Sequence, residues 1–395
     1  MMQHRISELG GPLAGVRVLE LGQIAAGPFT ASLLADLGAD VVKIERPDGG
    51  DGMRQWPPIS HGPEGDGSYS ENFASVNRNK RSVALDLKSP DDVALLKSLS
   101  AKANIFVENY RPGVLPRLGL GYGDLKTVNP KLIYCSISGY GQTGPYAGKG
   151  AFDVTVQGIA GMMSVTGEPG AAPVKCGVPI GDFCAGLYAG FSILAMLRNA
   201  EATGTGAHID CSMLGSLLGI SALQTSEYFG NGVAPRRLGS AHPRNAPYQA
   251  FEASDTYFVV AAGNDKLWHE VCGAVGMDAL ANDARFLTQS DRAKNQDELV
   301  QILAPVFKTR TAQDWLTEMD CRNVPCAPIN DFAEILADPH VDHMRLVRPL
   351  ALPNGTTTKT VTFPISISGL NFDDLSPPPM LGAHNEEVFG EWLDN

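Results

Sequence analysis

Residues 16–21 (VRVLEL), 29–39 (FTASLLADLGA) and 41–46 (VVKIER) together decide the fold class. The outer two are short runs rich in valine, leucine and isoleucine, with the length and texture of buried strands. The middle one follows Gly27-Pro28 and spaces its apolar side chains as a helix does. A strand, a helix and a second strand in so short a stretch form the unit from which parallel sheets are built. The unit recurs as SVALDL (82–87), a helix over 90–102 and NIFVEN (104–109). Ser89-Pro90-Asp91-Asp92 opens that helix, with proline early and carboxylates at its positive end. A helix near 122–128 then leads into KLIYCSISGY (131–140). Near-continuous apolar strands alternating with helices predict an open, mostly parallel α/β sheet covered on both faces.

The texture changes after about residue 200. HIDCSM (208–213) reads as a strand or transitional piece, and 213–230 as one long helix. TYFVVAAG (256–263) is a strand, followed by helical patterns over 265–280, 291–305 and 312–323. This predicts a small α+β domain at 225–330, with linkers at 206–224 and 331–345. Residues 1–205 then form the large domain. The Pro- and Gly-rich tail cannot make a core alone, so 335–395 is expected to complete the large domain. FCAGLYAGFSILAMLR (183–198) is too short to span a bilayer and reads as a buried helix. The first residues lack the charged-then-apolar pattern of a leader. A cytoplasmic chain with no membrane partner is the expectation.

Among its 395 residues, 44% are hydrophobic and 19% charged, with a net charge of -12. No basic stripe recommends nucleic acid as a partner. An anionic small molecule remains possible where cations gather locally, and Arg78, Lys80 and Arg81 are one such gathering, or a solvated turn. None of the seven cysteines forms a C-x-x-C pair, and their number is odd. Reduced thiols fit that pattern better than disulfides or zinc. The eight histidines are scattered, and His340 and His343 have no partner motif, so no metal is expected.

Three motifs carry chemistry. Gly139-Tyr140-Gly141-Gln142-Thr143-Gly144 matches G-x-G-x-x-G after a strand. A dinucleotide site needs a helix to begin there, and Pro145 with a further Gly-Lys-Gly argues for a glycine-rich active-site loop instead. Gly181-Asp182 precedes an apolar helix, so Asp182 is either that helix's cap or a partly desolvated carboxylate nucleophile. Glu108-Asn109-Tyr110-Arg111-Pro112-Gly113, with Arg117 a turn later, ends a strand, where open α/β sheets bind ligands. It suits a phosphate or adenine pocket, or an ordinary surface loop.

Six ordered blocks go further than any one motif. LAGVRVLELGQIAAGP, ADVVKIERPDGGD, NRNKRSVALDLKS, FVENYRPGVLPRLGLGY, SISGYGQTGPY and GDFCAG together resemble the class III CoA-transferase family, which includes formyl-CoA transferase and 2-methylacyl-CoA racemases. The likeness continues through GTGAHIDCSM, PYQAF and YFVVAAGNDKLW to LGAHNEEV. It implies a Rossmann-like large domain completed by the C-terminal tail, a small domain, and a homodimer of interlocked rings. It implies Asp182 as the nucleophile. Arg46, Lys80, Asn109 and Arg117 match positions that hold the CoA nucleotide and phosphates. Gln23, Ile24 and Ala25 match the loop lining the thioester, and the resemblance counts Asp153 among the CoA-binding residues as well. Coenzyme A enters as a thioester substrate with a free carboxylic acid, and no tightly bound cofactor is implied.

Departures from the family pattern narrow the activity. Where racemases carry Gly-His-Asp this chain has Ala151-Phe152-Asp153, and phenylalanine accepts no proton. Ala25 replaces a glutamine of formyl-CoA transferase, and Ala261-Ala262-Gly263-Asn264 replaces its tetraglycine lid. Relatives with AAGN at the lid and PYQAF before it often use succinyl-CoA and dicarboxylates, for which Arg236, Arg237 and Arg244 are candidate cations, or ordinary surface residues. The expectation is transfer of CoA from succinyl-CoA to a small dicarboxylate. An acyl-CoA racemase and a non-catalytic CoA-binding protein are the rivals.

Overall fold

A computed structural model describes residues 11–63 and 67–394. The stretch read for a leader, residues 1–10, lies outside the described residues. The chain divides into two compact units. One gathers the described residues up to Met162, then Cys176–Asn231 and those from His340 onward; the other holds Met163–Lys175 and Gly232–Pro339. Segment 163–175, which the sequence reading puts within 1–205, groups with the second unit.

The first unit is built on six strands: β1 (Arg17–Leu21), β2 (Asp40–Glu45), β3 (Lys80–Ala84), β4 (Ile105–Glu108), β5 (Ile133–Ser138) and β6 (Ala207–Ser212). Every neighbouring pair is parallel, in the order β3-β2-β1-β4-β5-β6. This is the doubly wound order, whose strand sequence reverses direction between β1 and β4. Val18, Val41, Ile105 and Ile133 bury one face of the sheet, and Leu19, Val42, Phe106 and Tyr134 the other. Helix α1 (Ala26–Asp36) covers the first face and α2 (Pro90–Lys102) the second. Ser89 caps α2, its hydroxyl accepting from the Asp92 amide.

The tail returns to this unit. Its closing helix, Asn385–Leu393, buries Val388 and Trp392 beside the second sheet face. Trp392 donates to Asp40, and Arg81 binds Glu387 and Glu391. Asn385 accepts from the Ala84 amide at 2.9 Å.

Two further helices carry the acidic residues singled out by sequence: α3 (Asp153–Ile159) and α4 (Ile180–Thr203). α4 is long and apolar enough to cross a membrane, yet it is not the wholly buried helix the sequence suggests. Gly181, Ala185, Gly186, Ala189, Gly190 and Ile193 form its core face, while Phe191 on the opposite side is 74% exposed. The predicted helix over 213–230 breaks at Ser221 into Met213–Ile220 and Ala222–Asn231.

The second unit is α+β. Strands Tyr248–Glu252, Tyr257–Ala261 and Cys326–Pro328 form an antiparallel sheet. Phe251, Phe258, Trp268, Phe307 and Trp315 fill its core, and the Trp315 indole donates to the Phe307 carbonyl at 2.7 Å.

Candidate active site

Open α/β sheets bind ligands beyond the carboxyl ends of their strands, at the point where strand order reverses. Here that point separates the loop after β1, residues 22–25, from the loop after β4, residues 109–113. Asn109 joins them: its side-chain oxygen accepts from the Gln23 amide at 2.8 Å and its NH2 donates to the Gln23 carbonyl at 2.9 Å. A cavity of about 360 Å³ opens there. Gln23, Ile24, Ala25, Asn109, Asp153 and Asp182 all line it, with Arg111 and Phe152. Six of the nine residues singled out by sequence therefore meet in one place.

Asp182 reaches the cavity because α4 lies tight against α1. A Cβ on Gly186 would stand 2.6 Å from the Phe29 ring, so only glycine lets the helices approach this closely. The Phe29 and Phe183 rings meet edge to face at 4.8 Å. Asp182 is not the cap of α4. That helix starts two residues earlier, with Pro179 at the cap position and no side-chain cap bond. The carboxylate accepts no hydrogen bond among the described residues, which leaves it free for chemistry. Burial, then the nearby charge of Asp153, pushes its pKa up to about 6. It is thus ionised at neutral pH and more basic than an ordinary aspartate.

Asp153 opens α3 and is tied at both oxygens. One accepts from the Gly181 amide at 2.8 Å, the other from the Gln157 side chain at 2.6 Å. It therefore fixes the first turn of α4 next to the nucleophile. Phe152, 77% exposed, stands at the cavity wall where the racemase pattern places a histidine.

Lys80 is a correction. Its ammonium is buried, donating to Glu20 at 2.9 Å, the Pro28 carbonyl at 2.8 Å and Asn77 at 3.0 Å. Burial, only partly offset by Glu20, lowers its pKa to about 8. It holds the fold beneath α1 and presents nothing to a phosphate. The whole basic gathering behaves the same way, with Arg78 bound to Asp36 and Arg81 to Asp40. Arg46 and Arg117 are exposed and form no ion pair among the described residues, but neither lines the cavity.

Sequence reasoning missed the buried charges under the β1 loop. Lys43, in the middle of β2, binds Glu20 at 2.9 Å and Asp51 at 3.1 Å, all with fully buried side chains. The readable signal was a lysine inside an otherwise apolar strand, a place lysine occupies only when paired. Arg236, Arg237, Arg244 and the loop 261–264 belong to the second unit. Among the described residues no group of three or more His, Cys, Asp or Glu side chains is placed to hold a metal.

The family model of CoA-transferase family III matches residues 13–385. The chain belongs to that family. This CoA-transferase is 39% identical over 381 residues to a succinate–glutarate CoA-transferase of Agrobacterium fabrum, covering 96% of the chain and 95% of that relative. It is 38% identical over 385 residues to the succinyl-CoA:glutarate CoA-transferase of Homo sapiens, covering 97% and 86%. Its fold matches the crystal structure of a CaiB/BaiF family protein from Brucella suis with a TM-score of 0.85, at 38% identity, over 97% and 99% of the two chains. The resemblance read from six sequence blocks and the doubly wound sheet thus agree.

Proposed function

We propose that the enzyme moves CoA from succinyl-CoA to a small dicarboxylate of the glutarate kind, with Asp182 as covalent relay. The observation that carries this reading is an unbonded, half-buried carboxylate in a cavity at the strand-order reversal. The named substrates of the Agrobacterium and human relatives support the donor and acceptor.

The cycle balances without water or net proton transfer. Asp182 attacks the thioester carbonyl of succinyl-CoA; the C–S bond breaks, giving a mixed anhydride and CoA thiolate. The thiolate attacks the aspartyl carbonyl of that anhydride, releasing succinate and leaving an aspartyl-CoA thioester. The acceptor carboxylate then displaces thiolate from the aspartyl carbon, forming a second anhydride. Thiolate attack on its acyl carbonyl yields the new acyl-CoA and frees Asp182. Ala25, just before α1, makes no side-chain cap bond to the first amides of that helix, and Ala25 and Ala26 line the cavity. Such amides suit the oxyanions of each addition step.

Gln23, Ile24 and Ala25 line the thioester, Asn109 fixes that loop, and Arg46 and Arg117 take the nucleotide phosphates. Lys80 is withdrawn from that set. The working form is an interlocked homodimer in the cytoplasm. The open side of α4, with Leu187, Tyr188 and Phe191 exposed, supports a second copy of the chain as its cover.

The test incubates the enzyme with succinyl-CoA and glutarate and follows new thioesters by mass. Hydroxylamine added during turnover marks Asp182 as a hydroxamate. Asp182→Ala abolishes exchange and keeps CoA binding; full exchange in that variant refutes the assignment.

A further inference from the structure

Every peptide of the loop from Gly22 to Ile24 is held by a side chain from another element. The Lys43 ammonium donates to the Gly22 carbonyl at 2.7 Å. Asn109 brackets Gln23 on both sides. The Ile24 amide donates to both carboxylate oxygens of Asp51, at 3.1 Å each. Ile24 itself sits at φ 65°, in the left-handed region that β-branched residues avoid. A residue persists there only where its surroundings over-determine it.

Asp51 is built to impose that conformation. It is 1% exposed, its Oδ2 lies 3.1 Å from the Lys43 ammonium, and its Oδ1 also accepts from the Met53 amide at 2.9 Å. Its own amide donates to Glu45 at 3.1 Å. Burial pulls the Lys43 ammonium toward neutrality, but Glu20, Asp51 and Glu45 outweigh it and keep it charged. The clamp is therefore a neutralised ion pair with its remaining acceptor capacity aimed at one strained amide.

We infer that Asp51 is a positioning residue for CoA transfer: its buried carboxylate, paired with Lys43, holds Ile24 in a left-handed turn that sets the cavity wall and the uncapped start of α1 opposite Asp182. The inference rests on the proposed role of Asp182. Ile24 lines the cavity and α1 begins two residues later, so a change of its φ displaces both. Misplacement of such groups by about 1 Å lowers rates by about a hundredfold.

The test is a double-mutant cycle read by succinyl-CoA-to-glutarate exchange, with thermal unfolding alongside and Asp182→Ala as control. Asp51→Asn lowers kcat/KM at least about tenfold. Adding Ile24→Gly, which takes a positive φ without a Cβ, restores part of that loss. Ile24→Pro keeps the Lys43–Asp51 pair but removes the bonded amide and fixes φ near −65°; it lowers kcat/KM comparably, and reports on the clamp if Asp51→Asn does not fold. Wild-type exchange in Asp51→Asn or in Ile24→Pro overturns the inference. So does a double variant whose loss equals the product of the two single losses, since a merely structural role predicts that product. Activity in Asp182→Ala instead overturns the nucleophile, an outcome distinct from these.

Discussion

Asp182→Asn makes the folded protein more stable at neutral pH while destroying its exchange activity. The carboxyl sits among apolar neighbours and near Asp153, which raises its pKa from 3.8 to about 6. Each tenfold change in proton affinity is worth about 1.4 kcal/mol. The ceiling on the cost of holding this carboxylate ionised in the fold is therefore about 3 kcal/mol. The group is half-buried, so solvent screening brings the measured gain to about 1.5–3 kcal/mol. The sign follows from proton binding. Between pH 4 and 6 the folded state binds more protons at Asp182 than the unfolded chain, so stability falls as pH rises through that window. Below pH 4 both states are protonated and the cost vanishes; above pH 6 it is complete. Urea denaturation of both proteins at one protein concentration, at pH 4, 5, 6 and 7.5, reads the difference directly. The variant's advantage grows from near zero at pH 4 to its plateau by pH 7. A variant no more stable than wild type at pH 7.5 refutes the reasoning, as does an advantage that is the same at every pH. The wild-type kcat/KM falls below about pH 6 for the same reason.

Asp153→Asn removes the neighbouring charge, so the acidic limb of the kcat/KM profile moves to lower pH. Its rate also falls about tenfold, because Gln157 is locked by accepting from the Cys176 amide, and an asparagine NH2 must then face either Gln157 or the Gly181 amide. Asn109→Ala removes both bonds to Gln23, and the resulting loop disorder lowers kcat/KM about tenfold to a hundredfold with little change in the melting temperature.

Local signals were legible in the sequence, and signals needing a tertiary partner were not. Pro90–Lys102 and Tyr122–Val128 lie where capping and periodicity put them. The strands of the large sheet fall inside their predicted runs, apart from the starts of β2 and β6, one residue early each, and of β3, two residues early. The order β3-β2-β1-β4-β5-β6 was not readable, because nothing local records that β4 pairs with β1. Breaks at Ser221 and Asn295 were missed since apolar periodicity continues across them. The closing helix was hidden in a Pro- and Gly-rich tail, although Val388 and Trp392 are spaced four apart behind Glu386 and Glu387, a helix-start pattern. In the site, the family resemblance singled out the residues of the β1 and β4 loops. Whether Asp182 caps α4 stayed open in the sequence, which does not show that helix beginning at Ile180.

The mistaken reading of Lys80 exposes the rule that separates binding cations from structural ones in this fold. Arg78, Lys80 and Arg81 lie before or at the amino end of β3, where Asp36, Glu20 and Asp40 neutralise them inside the protein. Arg46 directly follows β2, and Arg111 and Arg117 follow β4, all past carboxyl ends. None of those three forms an ion pair among the described residues. Three guanidinium groups without a carboxylate partner, on the segments that follow the carboxyl ends of β2 and β4, give a chain of net charge -12 a local field suited to a polyanion. Cation type alone did not separate the two groups; the end of the strand to which each belongs does. Sequence readings of this fold gain accuracy when basic residues are weighed by that position, and the proposed phosphate contacts of Arg46 and Arg117 rest on it.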